Sequence, residues 1–365
     1  MSDSLYDLSE FHQKANMIRV LIVDDSVTQR EILQRLLEAD AEFTVVGQAR
    51  NGREAIAKVV DCQPDVVLMD IHMPEMDGIE ATRAIMQQHP VPIVIASSTL
   101  RKRDVDHGLK AIDAGAVSLI AKPEGAALLN LKKIAPELRN ELLAASTAKL
   151  RRHIPLTSNS ARPRRCNTIA PGSEPIAVVG LCASTGGPPV LRDILSSLPK
   201  PFLIPTLIVQ HISQGFEEGF ARWLSETTGQ TVRIADEHQR LSAGFWMAPC
   251  GSHLTLASAA RITLRPGESG DIHCPSGNPM FESMAKYQGG KSAGVLLTGM
   301  GDDGAQGLLA MKAAGCVTII QNQESSLIWG MPKRGQELSA AQHELAPLDI
   351  ASFLSRMTTA SEAGQ

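Results

Sequence analysis

The sequence predicts an α/β protein of two domains, each built on a largely parallel sheet. Three observations predict it. Short apolar runs alternate with helix-period stretches through most of the 365 residues. The runs draw on Val, Ile, Leu and Ala while aromatics are only 4%, a composition suited to strands buried on both faces. Residues 151–173 hold five Arg and three Pro but no acid, and they separate two acidic parts with net charges of −5 and −4. Such a stretch reads as an exposed linker. With 43% hydrophobic and 20% charged residues, each part can bury a core, and disordered or collagen-like chains are excluded.

In the first part, IRVLIV (18–23), FTVVGQA (43–49), DVVLMD (65–70), VPIVIAS (91–97) and AVSLIAKP (116–123) read as strands. Between them lie helical patterns such as TQREILQRLLEA (28–39), with Ile32, Leu33, Leu36 and Leu37 on one face. Five such units in about 130 residues imply one doubly wound, five-stranded parallel sheet. Functional groups in these sheets sit at the carboxyl ends of strands. Those ends carry Asp24-Asp25, Asp70, Ser97-Ser98 and Lys122-Pro123. Three carboxylates at one sheet edge repel unless a cation lies among them, and oxygen-only ligands suit Mg²⁺. A carboxylate beside Mg²⁺ can attack a phosphoryl group, and a hydroxyl and a lysine on neighbouring strands can hold the phosphoryl oxygens. Each residue alone reads as a cap or a surface charge; the set at four strand ends points to phosphoryl transfer.

The segments VLIVDDS, LMDIHMPEMDG, IVIASS and LIAKP resemble a response-regulator receiver domain over residues 18 to about 140. The resemblance implies that Asp70 accepts the phosphoryl group and that Asp24, Asp25 and Asp70 hold Mg²⁺. Ser97 is then the hydroxyl that moves on phosphorylation, and Lys122 the phosphate partner. His72 departs from the Glu or Asn frequent in related regulators, at a position expected to offer the metal a backbone carbonyl.

In the second part, PIAVVGLCA (175–183) reads as a strand that turns at Ser184-Thr-Gly-Gly-Pro-Pro189 into a helix carrying Val190, Leu191, Ile194 and Leu195. Proline fits a first helical turn. Ser184 thus lies between a strand end and a helix N-terminus, where backbone N–H groups can meet an oxyanion; alone it reads equally as an N-cap. TLIVQH (206–211) ends in His211, and AGVLLTGMGDDG (293–304) ends in a turn with Asp302 and Asp303, followed by a helix from about Ala305. Hydroxyl, imidazole and carboxylate at three strand ends follow the triad logic of nucleophile, base and orienter. Spacing leaves Asp302 and Asp303 equivalent. The order Ser…His…Asp, with Cys at 182, disfavours an α/β-hydrolase. A nucleotide cradle at GMGDDG is disfavoured because two adjacent acids would repel a pyrophosphate.

These pieces, with MAPCGSHLTL, HCPSGNPMFESMA, TIIQNQESSLIWGMP and APLDIA, resemble the catalytic domain of chemotaxis protein-glutamate methylesterases (the CheB family) from residue 176 to about 352. The resemblance implies a Rossmann-like second sheet, with Ser184 as nucleophile, His211 as base and Asp303 as orienter. It also implies oxyanion donors from the backbone at Thr185 and Met300. The esterase needs no cofactor; the Mg²⁺ belongs to the receiver. The expected activity is demethylation of glutamate methyl esters on methyl-accepting chemotaxis receptors, with deamidation of receptor glutamines, after phosphorylation by a chemotaxis histidine kinase. Cys250 stands where the family has Gly, and Cys274-Pro275 where it has Arg-Pro. His253 and His273 read either as lining the site or as lying behind it, Cys182, Cys250 and Cys274 as small buried hydrophobes, and Met300, Met311 and Met331 as core.

The expected organisation is an N-terminal extension (1–17), a receiver (18–140), a helix end and Arg/Pro-rich linker (141–173), the methylesterase domain (174–356) and a tail (357–365). No apolar run reaches the ~18 residues of a membrane span, and the N-terminus lacks a signal-peptide core. Six scattered Cys with no CxxC pair suit a reducing cytoplasm. The competing readings are a DNA-binding output, disfavoured by the acidic second part, and a non-catalytic adaptor. No nucleic acid partner and no membrane insertion are expected.

Overall fold

In the computed structural model, residues 17–97, 102–122, 131–150 and 176–362 are described, with backbone alone at 102–104, 131–134 and 358–362. Residues 1–16 of the expected N-terminal extension, the Arg/Pro-rich stretch 151–173, Ser98 and Pro123 lie outside them. The chain forms two compact units.

In chain order, β1 (Ile18–Val23), α1 (Val27–Glu38), β2 (Phe43–Ala49), α2 (Gly52–Cys62), β3 (Val66–Asp70), α3 (Gly78–Gln88), β4 (Ile93–Ser97), α4 (Lys102–Asp113), β5 (Ser118–Ala121) and α5 (Leu131–Ser146) come first; all but α4, which is divided between the two, belong to the first unit. Its five strands are parallel in the order β2-β1-β3-β4-β5. Every residue of β3 and β4 is buried, which explains why those runs read as continuous rather than alternating. Local chemistry starts the helices. Ser26, Asn51 and Asp77 accept N–H bonds from Gln29, Glu54 and Glu80, each cap stabilising by about 1 kcal/mol. The order reverses between β1 and β3, so a crevice opens at their carboxyl ends.

The second unit holds β6 (Val178–Ala183), α6 (Gly187–Ser197), β7 (Thr206–Gln210), α7 (Glu217–Thr228), β8 (Val232–Ile234), β9 (Phe245–Met247), β10 (Ser252–Ser258), β11 (Arg261–Pro266) and α8 (Gly277–Gln288). It continues through β12 (Ser292–Leu296), α9 (Ala305–Ala313), β13 (Val317–Gln321), α10 (Met331–Glu337), β14 (His343–Leu345) and α11 (Pro347–Glu362). Seven strands lie in the order β14-β13-β12-β6-β7-β9-β8. All of them pair parallel, while β10 and β11 form a separate antiparallel hairpin. Methionine does the packing that aromatics do elsewhere. A Cβ on Gly180 would meet Met284 Sδ at 2.7 Å, and one on Gly294 would meet Met311 Sδ at 2.6 Å. Met311 and Met331 are fully buried, but Met300 is only half-buried, because it belongs to a strand-end turn rather than to the core. The last helix runs to Glu362, past the boundary expected at 356, because Met357 still packs inward.

Candidate active site

In the first unit, Asp24 follows β1 and Asp70 ends β3, both buried, with Asp25 exposed beside them. One carboxylate oxygen from each of the three lies within 4.8 Å of the others. Lys122, just past β5, places Nζ 2.8 Å from Asp24 Oδ2 and 2.7 Å from Asp70 Oδ1. Burial raises the Asp70 carboxyl and so does Asp24, against the pull of Lys122, and the net is upward. Burial would lower the Lys122 ammonium, but the two carboxylates outweigh it and hold it above its ordinary value. Ser97 ends β4, buried, and its carbonyl accepts the Lys122 N–H at 2.9 Å. The glycine after Asp77 is required: a Cβ on Gly78 would strike the Asp70 carbonyl. Three hard oxygen donors against one lysine fit a divalent cation such as Mg²⁺. His72 is exposed.

In the second unit, three neighbouring strands deliver the reactive groups. Cys182 of β6 pairs in register with Leu296 of β12, and Ala183 with Gln210 of β7. One step beyond the last pair stand Ser184 and His211. Backbone bonds pin this rim: Ser184 N–H to Thr298 O (3.0 Å), His211 N–H to Ala183 O (3.0 Å) and Leu297 N–H to Cys182 O (2.8 Å). Ser184 is not the N-cap of α6. Gly186 is, with φ of 78°, which leaves the buried serine clear of capping. Gln210 Nε2 ties the two turns together, donating to Ser184 O (2.9 Å) and His211 O (2.8 Å).

His211 places Nε2 2.9 Å from Asp303 Oδ2. Its Nδ1 is buried with no hydrogen-bond partner. Asp303, 5% exposed, also accepts from Gly277 N–H at 2.7 Å and Ser276 Oγ at 2.6 Å. Burial would raise its carboxyl, but the His211, Ser276 and Gly277 donors outweigh it and hold it well below the usual carboxylate range. Asp302 is exposed and its carbonyl accepts the Ala305 N–H. Cys182 Sγ lies within 4.8 Å of the His211 and Asp303 atoms. Burial, and then Asp303, push its thiol far up, so it stays neutral and fills space. A Cβ on Gly277 would strike its sulfur. Thr185 is buried behind Ser184, its carbonyl accepting the Thr298 hydroxyl at 3.1 Å.

His273 stacks on His211 with ring centroids 4.3 Å apart and planes 8° apart. Burial, and then the neighbouring imidazole, push His273 down to about 4. His253 is buried further back. The two departures, Cys250 and Cys274, are half-buried in adjoining loops, where Gly251 N–H donates to Cys274 O at 3.2 Å. Sequence reasoning passed over Ser276, Gly277 and Gln210. The signal for Ser276 was a serine opening a helical pattern, which says cap and nothing about Asp303.

Residues 179–354 match the model of the CheB methylesterase family, and residues 20–132 that of the response regulator receiver domain. The protein-glutamate methylesterase/protein-glutamine glutaminase 1 of Syntrophus aciditrophicus is 40% identical over 351 residues, 93% of this chain and 98% of that one. A Geobacter metallireducens protein of the same name, numbered 4, is 40% identical over 347 residues, 93% of this chain and 99% of that one. The crystal structure of the Thermotoga maritima CheB methylesterase catalytic domain is 31% identical, covering 50% of this chain and 98% of its own, with a TM-score of 0.48.

Proposed function

Because the chain belongs to the protein-glutamate methylesterase/protein-glutamine glutaminase family, a receiver domain followed by a CheB methylesterase domain, we propose that it hydrolyses glutamate methyl esters on chemotaxis receptors under the control of phosphorylation at Asp70. The observation that carries the esterase reading is the His211–Asp303 contact of 2.9 Å, with Nδ1 unpartnered and Ser184 and His211 each one step past the paired Ala183 and Gln210.

Asp303 fixes the proton on Nε2 and so keeps the Nδ1 lone pair as base. Ser184 Oγ attacks the γ-carbonyl carbon of the glutamate ester while its proton passes to Nδ1. The resulting imidazolium is stabilised by Asp303. Backbone N–H groups at Thr185 and Met300 meet the oxyanion. The tetrahedral intermediate collapses, the ester C–O bond breaks, and methanol leaves with the proton from Nδ1. Water then attacks the acyl carbon and gives a proton to Nδ1; the acyl–Oγ bond breaks, Ser184 Oγ takes the proton back from Nδ1, and the glutamate carboxylate leaves. The same route on a glutamine side chain releases ammonia. Each step uses only groups of this chain and water.

In the receiver, Asp24, Asp25 and Asp70 would hold Mg²⁺, with the His72 carbonyl. When bound, the ion neutralises charge that gathers at the transferring phosphoryl group. An Asp70 oxygen attacks phosphorus and the kinase histidine leaves. Lys122 then pairs with a phosphoryl oxygen, and the Ser97 hydroxyl moves toward it. Among the described residues no helix is long and apolar enough to cross a membrane, and five cysteines are free. Reduced thiols suit the cytoplasm, where a kinase and receptor tails would be met. Neither a DNA-binding output nor a non-catalytic adaptor draws support from the relatives, whose names are those of an esterase and glutaminase. Methanol release from methylated receptor membranes by wild type and Ser184→Ala is the test: equal rates would end the esterase reading.

A further inference from the structure

Asp303 has two oxygens, and only Oδ2 serves His211. The other, Oδ1, accepts the Ser276 hydroxyl at 2.6 Å. Ser276 opens α8, where its Oγ accepts the Asn278 N–H at 3.3 Å. An N-cap needs only this acceptor. The hydroxyl proton is a separate resource, and here it is committed to Asp303, 27 residues away in sequence.

Ser276 is itself held. Its N–H donates to His253 Nδ1 at 3.2 Å, and His253 is 1% exposed. A ring that accepts at Nδ1 carries its proton on Nε2, and His253 Nε2 lies 2.8 Å from Asp271 Oδ2. Asp271 Oδ2 is anchored in turn by the Glu268 N–H at 2.7 Å. His253, Asp271 and Cys274 have ligand atoms within 4.8 Å of one another, the spacing of a metal site. The Ser276 N–H argues against that use, since it leaves Nε2 protonated and without a lone pair for an ion.

We propose that Ser276 is a positioning residue for the hydrolysis: its hydroxyl holds Asp303 Oδ1 so that Oδ2 stays aligned with His211, and buried His253, itself bonded to the exposed Asp271, holds Ser276. This rests on the assignment of Ser184, His211 and Asp303 made above and extends it one layer outward. Without the hydroxyl, Oδ2 keeps the Gly277 N–H at 2.7 Å but Oδ1 keeps only the longer Asn278 N–H bond of 3.4 Å, so the carboxylate is held less tightly and the imidazole it orients is placed less exactly against the serine. Small misplacements of reacting groups cost rate rather than substrate binding.

The test uses the full chain, with kcat and KM for methanol release from methylated receptor membranes. Ser276→Ala should lower kcat about tenfold and leave KM within about twofold. Ser276→Thr keeps both acceptor and proton and should restore the rate to within about threefold. Ser276→Gly is well tolerated at an N-cap and brings no hydroxyl. It therefore keeps the proposal testable where the alanine variant fails to fold, and it should be as slow as Ser276→Ala. A wild-type rate for Ser276→Ala, or for Ser276→Gly, overturns the proposal. Asp303→Asn run alongside separates the two levels. If it stays active, the underlying triad assignment fails. If it is inactive while Ser276→Ala is unaffected, only the positioning role fails.

Discussion

His211 turns Nε2, not Nδ1, toward Asp303, with 2.9 Å between Nε2 and Oδ2. This is the reverse of the chymotrypsin-type arrangement, in which Nδ1 faces the carboxylate. In the proposed mechanism the other nitrogen, buried and unpaired, is the base that takes the Ser184 proton. Serine and imidazole need not be bonded in the resting enzyme, since such contacts tighten only when substrate arrives.

Ser184→Ala should fold as wild type and lose on the order of 10³-fold or more in methanol release. His211→Ala should match it. The double variant should lose little beyond either single one, because triad members act as a unit. Independent, multiplicative losses would place the two residues in separate roles.

Asp303→Asn should slow the reaction on the order of 10³–10⁴-fold, because an amide stabilises no imidazolium and favours the wrong tautomer. Asp302, exposed at the neighbouring position, should tolerate Asn within about fivefold, as surface changes do. The two rates measured side by side decide the orienter.

With a small-molecule phosphodonor and Mg²⁺, the wild-type rate should rise, and Asp70→Asn treated alike should not respond. A shift from a mostly inactive to a mostly active population requires only a few kcal/mol of differential stability. Equal responses of the two proteins would detach the control from Asp70.

His273 is held at about 4 against an ordinary 6.5, so the unfolded chain binds its proton more readily than the fold does. Its contribution is fully present above about pH 6.5 and is lost as pH falls from there toward about 4. His273→Phe keeps a flat ring against His211 and removes that titration. The fall in urea midpoint between about pH 7 and about pH 5 should be smaller in the variant than in wild type. An equal fall in both would assign the slope to other groups.

Gly299→Ala should abolish activity and destabilise the fold. A Cβ there would lie 2.6 Å from Ser184 Cβ and would also strike Met331 Sδ. Met331 is fully buried, so the strand-end turn must move, and with it the serine. Over-packing of this kind costs about 1–3 kcal/mol. Normal kinetics would mean that the turn yields without disturbing Ser184.

The central strands were legible because they are largely apolar runs of four to seven residues, several of them closed by chemistry-bearing residues. IRVLIV coincides with β1 and FTVVGQA with β2. VPIVIAS was read two residues long, because Pro92 has no N–H to add to a ladder. The three-residue β8 and β9 are too short to show a period, and the β10–β11 hairpin stands apart from the alternation that exposed the rest. At the site, residue types at strand ends were readable, but burial was not. Asp302 and Asp303 differ only in which one the turn directs inward. Ser276 shows as a helix start, and its bond to Asp303 appears only once two loops meet.

The three amides that pin the catalytic rim, at Ser184, His211 and Leu297, are continuations of the central ladder of a seven-stranded sheet. Such amides exchange with solvent only when the whole sheet opens, unlike those of fraying loops. Heat should therefore not disable this enzyme by loosening the rim ahead of the fold. Deuterium uptake at these three positions should track the global unfolding constant. The segment between β11 and α8, which carries His253's partner Asp271, the stacked His273 and Ser276, has no ladder of its own. Its amides are expected to exchange through smaller openings, so the support around the triad breathes on a faster clock than the rim it serves.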